Sequence, residues 1–303
     1  MTHYQLVAQN KLKSNLISIL FVAFVVGVTW LMAEGFGYGL DIVGIALIMS
    51  GVISFSSYWW SDKVILTISG AREATREEFF DFYTVAENLA HSQQLPVPKL
   101  YVIEDTAMNA FATGRDPEHA VICCTTGILA RLERPELEGV VAHELSHIKN
   151  YDIRLMSVVT ILVGFLALFS DMLLRSRLYG HRDRKSSGEG QVQVLLMVAA
   201  VLMAVLSPLI AKLIQLAISR KREYLADASG VAMTKNPEGL ARALEKLGGD
   251  REPLEAANKA TAHLYIVNPL KNTKVSFAKF FMTHPPLEER ISILRNLATG
   301  SSQ

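Results

Sequence analysis

Apolar residues fill two long runs near the start of the chain. Leu16 to Ala33 carries no charged side chain, and Leu40 to Trp60 carries only Asp41 near its beginning. At about 1.5 Å per helical residue, each run can cross a hydrocarbon core of about 30 Å. Lys11 and Lys13 precede the pair, the connector Glu34–Gly39 has no Lys or Arg, and Lys63 and Arg72 follow. Trp30, Trp59 and Trp60 fall where indole rings favour a membrane interface. The pattern predicts a membrane hairpin with both ends on the cytoplasmic side. The first run is longer than the apolar part of a secretory leader, and no small-residue cleavage site precedes the second.

Two further apolar stretches follow, Ser157 to Leu174 and Val192 to Ile218, interrupted by Asp171, Pro208 and Lys212. The linker between them holds five basic residues, Arg175, Arg177, Arg182, Arg184 and Lys185. Two full spans would put that linker outside, against the positive-inside rule. Two arrangements stay open: four spans in all, which is the expectation here, or a helical pair that enters only part of the bilayer.

The remaining segments have ordinary soluble composition. The pattern therefore divides the chain into a hairpin (1–60), a first water-facing part (61–152), an apolar pair with a basic linker (153–218) and a second water-facing part (219–303). Val64–Ile68 reads as a strand, and Thr75-Arg-Glu-Glu78 as a capping box opening a helix to about His91. Leu100–Ile103, Asn109–Thr113 and Ala120–Thr125 read as strands, the last two joined through Gly114–Pro117. Pro135 and Glu136 mark the first turn of a helix from about 135 to 151. The expected class is α+β: a mostly helical integral-membrane protein whose soluble part carries a small antiparallel sheet.

Composition agrees. Half of the 303 residues are hydrophobic and only 19% are charged, against about 25% charged in soluble domains. A net charge of +1 gives no electrostatic case for a nucleic-acid partner. The two cysteines, Cys123 and Cys124, are adjacent on a strand and point to opposite faces, which suits neither a disulfide nor a shared metal.

The chemistry sits in the helix at 135–151, which contains His143-Glu144-Leu-Ser-His147. Residues i and i+4 share a helix face, so both imidazoles can reach one ion at about 2.0–2.1 Å. Glu144 stands beside them, placed to take a proton from water rather than to ligate. At this composition, chance yields the pattern in on the order of one such chain in a hundred. A catalytic zinc needs a third protein ligand. The other histidines and carboxylates are candidates, with Glu223 foremost because Asp227 follows it one helical turn later and can brace a ligand imidazole.

Taken together, His143-Glu-Leu-Ser-His-Ile-Lys-Asn-Tyr-Asp152, Arg222-Glu223-Tyr-Leu-Ala-Asp227, Asn109-Ala-Phe-Ala-Thr-Gly114 and Thr283-His-Pro-Pro286 resemble the HtpX-type membrane metalloproteases, relatives of the CAAX prenyl endopeptidases. The likeness runs from the hairpin to about Arg290, in order and at matching intervals.

The resemblance implies a zincin-like (gluzincin) domain and one Zn2+ per chain. It implies an endopeptidase of the inner membrane, multi-pass, that degrades misfolded or damaged membrane proteins on the cytoplasmic side during stress and quality control. It makes His143, His147 and Glu223 the zinc ligands, Glu144 the general base, and Asp227 the brace of a ligand histidine. It also makes Asn109, Ala110, Phe111 and Ala112 the rim along which an extended substrate adds as a strand; the bland alternative is a structural edge. His284, six residues before Arg290, is suited to polarising the developing oxyanion; otherwise Pro285-Pro286 merely stops one segment before a helix at Leu287–Arg290. His3, His91, His119, His181 and His263 have no supporting neighbours. Two rivals remain: a zinc-binding membrane scaffold without turnover, and a processing protease of the prenyl-peptide type, which needs more than four spans.

Overall fold

A computed structural model of the chain describes residues 3–36, 40–179, 220–257, 261–269 and 285–299. The first apolar run belongs to a 34-residue helix, α1 (His3–Phe36), in which Gln5–Gly27 is long and apolar enough to cross a membrane. Asn10, Ser14, Ile17 and Phe21 recur at helical spacing and form its buried stripe. That stripe meets Leu155, Val158, Val159, Leu162 and Val163 of α7 (Asp152–Tyr179). Leu12, Leu16, Ile19 and Leu20 point outward.

The second run is helical in α2 (Leu40–Trp59), and then the axis turns by 83° into α3 (Ser61–Ile68). Val64–Ile68 is therefore helical, not the expected strand. Its β-branched content suggested extension, but Ile65 and Leu66 face inward while Val64 and Ile68 face out, which is a helix face. The helix expected from Thr75 begins later, as α4 (Phe80–Ser92). Glu78 does not reach back to cap it, because its carboxylate accepts from Arg72 Nη1 at 2.9 Å.

The sheet has four strands: β1 (Arg72–Glu73), β2 (Lys99–Ile103), β3 (Ala110–Gly114) and β4 (Ala120–Thr125), in the order β1-β2-β4-β3. β3 and β4 pair antiparallel, as the hairpin reading expects, and so do β1 and β2. However, β2 and β4 run parallel, so the sheet is mixed rather than antiparallel. The reason is positional: residues 104–109 carry the chain past the centre, and the hairpin returns β4, not β3, beside β2. Gly114 makes that return possible. Its φ of +135° and a would-be Cβ 2.3 Å from the His119 carbonyl oxygen exclude other residues. Cys123 and Cys124 are buried in separate clusters on opposite faces, as expected.

After α5 (Thr126–Arg131) comes α6 (Arg134–Lys149), the helix against which the sheet and the later helices pack. Glu136 accepts from the Glu133 N–H at 2.8 Å and from Lys246 Nζ at 2.7 Å, fixing its start. Leu137, Val140, Val141, Ala142, Leu145 and Ile148 are all buried, under α4, the sheet, α8 (Arg220–Thr234) and α9 (Pro237–Gly249). A last helix, α10 (Leu287–Ala298), packs on α9. The expected apolar stretch 157–174 lies within α7, whereas 192–218 and the basic linker beyond Tyr179 lie outside the described residues.

Two glycines set the helix spacing. A Cβ at Gly230 of α8 would stand 3.2 Å from the His143 backbone nitrogen, and one at Gly139 would stand 2.8 Å from Leu240 Cα. At Gly139 the obstacle is backbone, which cannot rotate away. Gly139→Ala is expected to destabilise the protein by about 1–3 kcal/mol, despite the better helix propensity of Ala. A lowered unfolding midpoint for the full chain in detergent checks this.

Candidate metal centre and active site

α6 and α8 cross where their polar residues meet. His143, Glu144 and His147 on α6 and Glu223 and Asp227 on α8 are all buried. The Nε2 atoms of the two imidazoles stand 3.2 Å apart. Glu223 Oε1 lies 3.6 Å from His147 Nε2, and Oε2 lies 3.8 Å from His143 Nε2. Tetrahedral ligands at about 2.05 Å from one ion would stand about 3.3 Å apart, so this triangle is close to that size.

The far ring nitrogens show why both imidazoles turn inward. His143 Nδ1 lies 2.9 Å from Asp227 Oδ1, and His147 Nδ1 lies 3.1 Å from Asp152 Oδ2. A carboxylate behind each ring fixes its orientation and leaves Nε2 turned towards the centre of the triangle. Two nitrogens and one carboxylate form a donor set that fits zinc. The second carboxylate, Asp152, was not legible from spacing. It follows α6 by way of Tyr151, whose φ of +58° reverses the chain and swings Asp152 back towards His147. A non-glycine residue in that region costs about 1–2 kcal/mol.

Arg290, in the first turn of α10, is fully buried. Its Nε and Nη2 donate to the two oxygens of Asp227 at 2.8 and 2.7 Å, and its Nη1 stands 3.7 Å from Glu223. Thus it steadies the carboxylate behind His143. Burial alone would raise the Asp227 pKa, but Arg290 and His143 outweigh it and hold the group below the ordinary carboxylate value. His284 lies outside the described residues.

Glu144 is not one of the three residues of this triangle, but it lies beside them. Burial pushes its pKa up, while the two histidines and the Ala112 backbone N–H pull it down; the net direction is upward. Ala112 belongs to the edge strand, so Glu144 lies directly beneath β3. Asn109 precedes β3, and its side chain donates to the Val267 carbonyl at 2.9 Å. Ala110 offers its carbonyl to the Ile266 N–H at 3.0 Å, and the Gly114 N–H donates to Ser157 Oγ at 3.3 Å. Phe111 points away, against Tyr265 with ring centroids 5.1 Å apart.

Paired imidazoles around a basic carboxylate, closed by an acid from a second helix under a sheet edge, define a metallopeptidase-type site. Comparison with known proteins agrees. Residues 78–298 match peptidase family M48. Proteins called protease HtpX homolog are 42% identical in Dictyoglomus turgidum, over 97% of this chain and 94% of the relative. The figure is 39% in Thermoanaerobacter pseudethanolicus, over 98% of each. In Streptococcus uberis it is 40%, over 97% of this chain and 99% of the relative. The crystal structure of S. mikatae Ste24p shares the fold, with a TM-score of 0.51 at 18% identity, covering 96% of this chain and 67% of that one. The chain belongs to peptidase family M48 and is an HtpX-like protease.

Two predictions follow from the geometry. Arg290→Met leaves Asp227 buried without its guanidinium, and is expected to cost about 3–5 kcal/mol in unfolding experiments. The second concerns protons. Burial lowers the His147 pKa, but the hydrogen bond to Asp152 and the charges of Glu223, Asp152 and Glu144 more than reverse this, raising it from 6.5 to about 9. In the metal-free chain this stabilisation is complete below pH 6.5 and fades as pH rises through about 9. A ligand nitrogen must shed that proton, so zinc affinity should rise about tenfold per pH unit between pH 6.5 and 8. Chelator-competition titrations at three pH values measure the slope.

Proposed function

We propose that the chain is a membrane-anchored zinc endopeptidase, hydrolysing peptide bonds of misfolded or damaged membrane proteins at the cytoplasmic face of the inner membrane. The observation that carries this reading is the triangle of His143, His147 and Glu223, with Glu144 buried beside it and under an edge strand. Bound zinc would supply a Lewis acid that makes water reactive at neutral pH and polarises a peptide carbonyl. Glu144 takes the proton of the attacking water, and its raised pKa suits it to hold that proton and return it to the leaving amine. Asp227 and Asp152 hold the two rings through their outer nitrogens. Ala112 is the point at which β3 faces Glu144, so an extended substrate laid along the strand would bring its backbone to the carboxylate.

Membrane anchoring is supported by the apolar segment Gln5–Gly27 and by outward-facing Ile45, Leu47, Ile48, Val52 and Phe55 on α2. Lys11 and Lys13 at the start of α1 favour the cytoplasmic side. Anchored there, the site meets tails and loops of other membrane proteins first, and the bilayer is its constant partner. A scaffold without turnover would have no use for Glu144, a buried acid that is not in the ligand triangle. A prenyl-peptide processing role would need a closed intramembrane chamber, for which the apolar stretches are too few.

Glu144→Gln should lower cleavage of an unfolded substrate such as casein, and self-cleavage, by about 10²–10⁴-fold while zinc content stays the same. Wild-type rates in that variant would refute the assignment.

A further inference from the structure

Asn10 lies on α1, yet it is only 4% exposed and reaches the back of the metal centre. Its Nδ2 donates to Asp152 Oδ1 at 2.7 Å and to the Asn150 carbonyl at 3.0 Å. The other oxygen of that carboxylate, Oδ2, stands behind His147 at 3.1 Å. A hydrogen-bonded line thus runs from the anchor helix through one carboxylate to a ligand imidazole. Arg222 Nη1 stands 3.5 Å from the same Oδ1, so Asn10 is the closer donor.

The rest of this end of α1 docks on the same short segment. Lys11 Nζ sits 4.2 Å from the centroid of the Tyr151 ring, and Asn15 accepts from Arg154 Nη2 at 2.8 Å. Beyond them the contact with α7 is apolar, through Ile17 and Phe21. A helix serving only as an anchor has no need of a buried amide, which costs free energy unless its hydrogen bonds are made. Here they are made to the turn that carries Asp152.

We propose that Asn10 is a positioning residue of the metal centre: by bonding Asp152 it orients His147, so that the seating of the anchor helix sets the zinc affinity of the site. This rests on the reading of His143, His147 and Glu223 as ligands. A chain whose hairpin is not seated has a loosened ligand and holds its metal weakly, which ties activation of the protease to its arrival in the membrane. Partners that orient ligand histidines typically change metal affinity about 10–100-fold.

The test uses the full chain in detergent, carrying Glu144→Gln throughout to prevent self-digestion, with zinc affinity read by chelator competition. Asn10→Leu should weaken zinc binding about tenfold or more. Asn15→Leu, which removes a docking contact of the same helix that does not touch Asp152, should stay within about twofold of the parent. In an Asp152→Asn background, Asn10→Leu should add no further loss, because the residue it acts through is already altered. Asn10→Ala, with its better helix propensity, gives the same comparison should the Leu variant not fold. Parental zinc affinity in the Asn10 variants, or an equal loss in both backgrounds, overturns the proposal while leaving the function standing. A parent chain that takes up no zinc overturns both.

Discussion

Two imidazoles turn to a common point only when something grips their outer nitrogens. In this chain those grips are Asp227 behind His143 and Asp152 behind His147, each a carboxylate buried away from water. A buried carboxylate is costly unless paired, so each grip needs a further partner. Asp227 has Arg290 from α10, and Asp152 has Asn10 from α1. The first and last described helices are thus drawn to the centre by the same electrostatic requirement.

That requirement explains why α6 is packed on every side. Its apolar residues bind it to the sheet, α4 and α9, while the polar face carrying His143 and His147 is enclosed by α8 and the ends of α7 and α10. Low dielectric strengthens the pairings, and close approach is needed to exclude water from them. Gly230 supplies the approach, since its missing side chain lets α8 lie against the His143 backbone. That contact brings Glu223 and Asp227 of α8 up to the two imidazoles of α6.

Much of this was legible in the sequence. The i, i+4 spacing of His143 and His147 places both rings on one face, and Glu223 with Asp227 repeats the spacing on a second helix. The β3–β4 hairpin and the long apolar helices could also be read from periodicity and turn residues. What escaped was whatever depends on a reversal of direction or on a partner far along the chain. Asp152 reaches His147 only because Tyr151 takes a left-handed conformation, which a tyrosine does not advertise. Arg290 could be read only by its spacing from His284 or as part of a helix start, because nothing local shows that Asp227 waits 63 residues upstream. The parallel pairing of β2 with β4 depends on where a six-residue connection crosses, and Val64–Ile68 is helical because its neighbours bury one helical face.

The edge strand shows the same economy. An exposed edge invites pairing with other chains, and folded proteins usually blunt theirs. The outer edge of β3 is stopped at one end by the Ile266 N–H on the Ala110 carbonyl, and at the other by Ser157 on the Gly114 N–H. Between these stops lies Ala112, whose N–H faces Glu144. All five residues of β3 are buried, so substrates that add to it as proposed meet no long exposed template. Glu144 lies beneath that stretch. A protease gains from such a restriction, because the backbone groups that would recruit strands indiscriminately are already paired within its own fold.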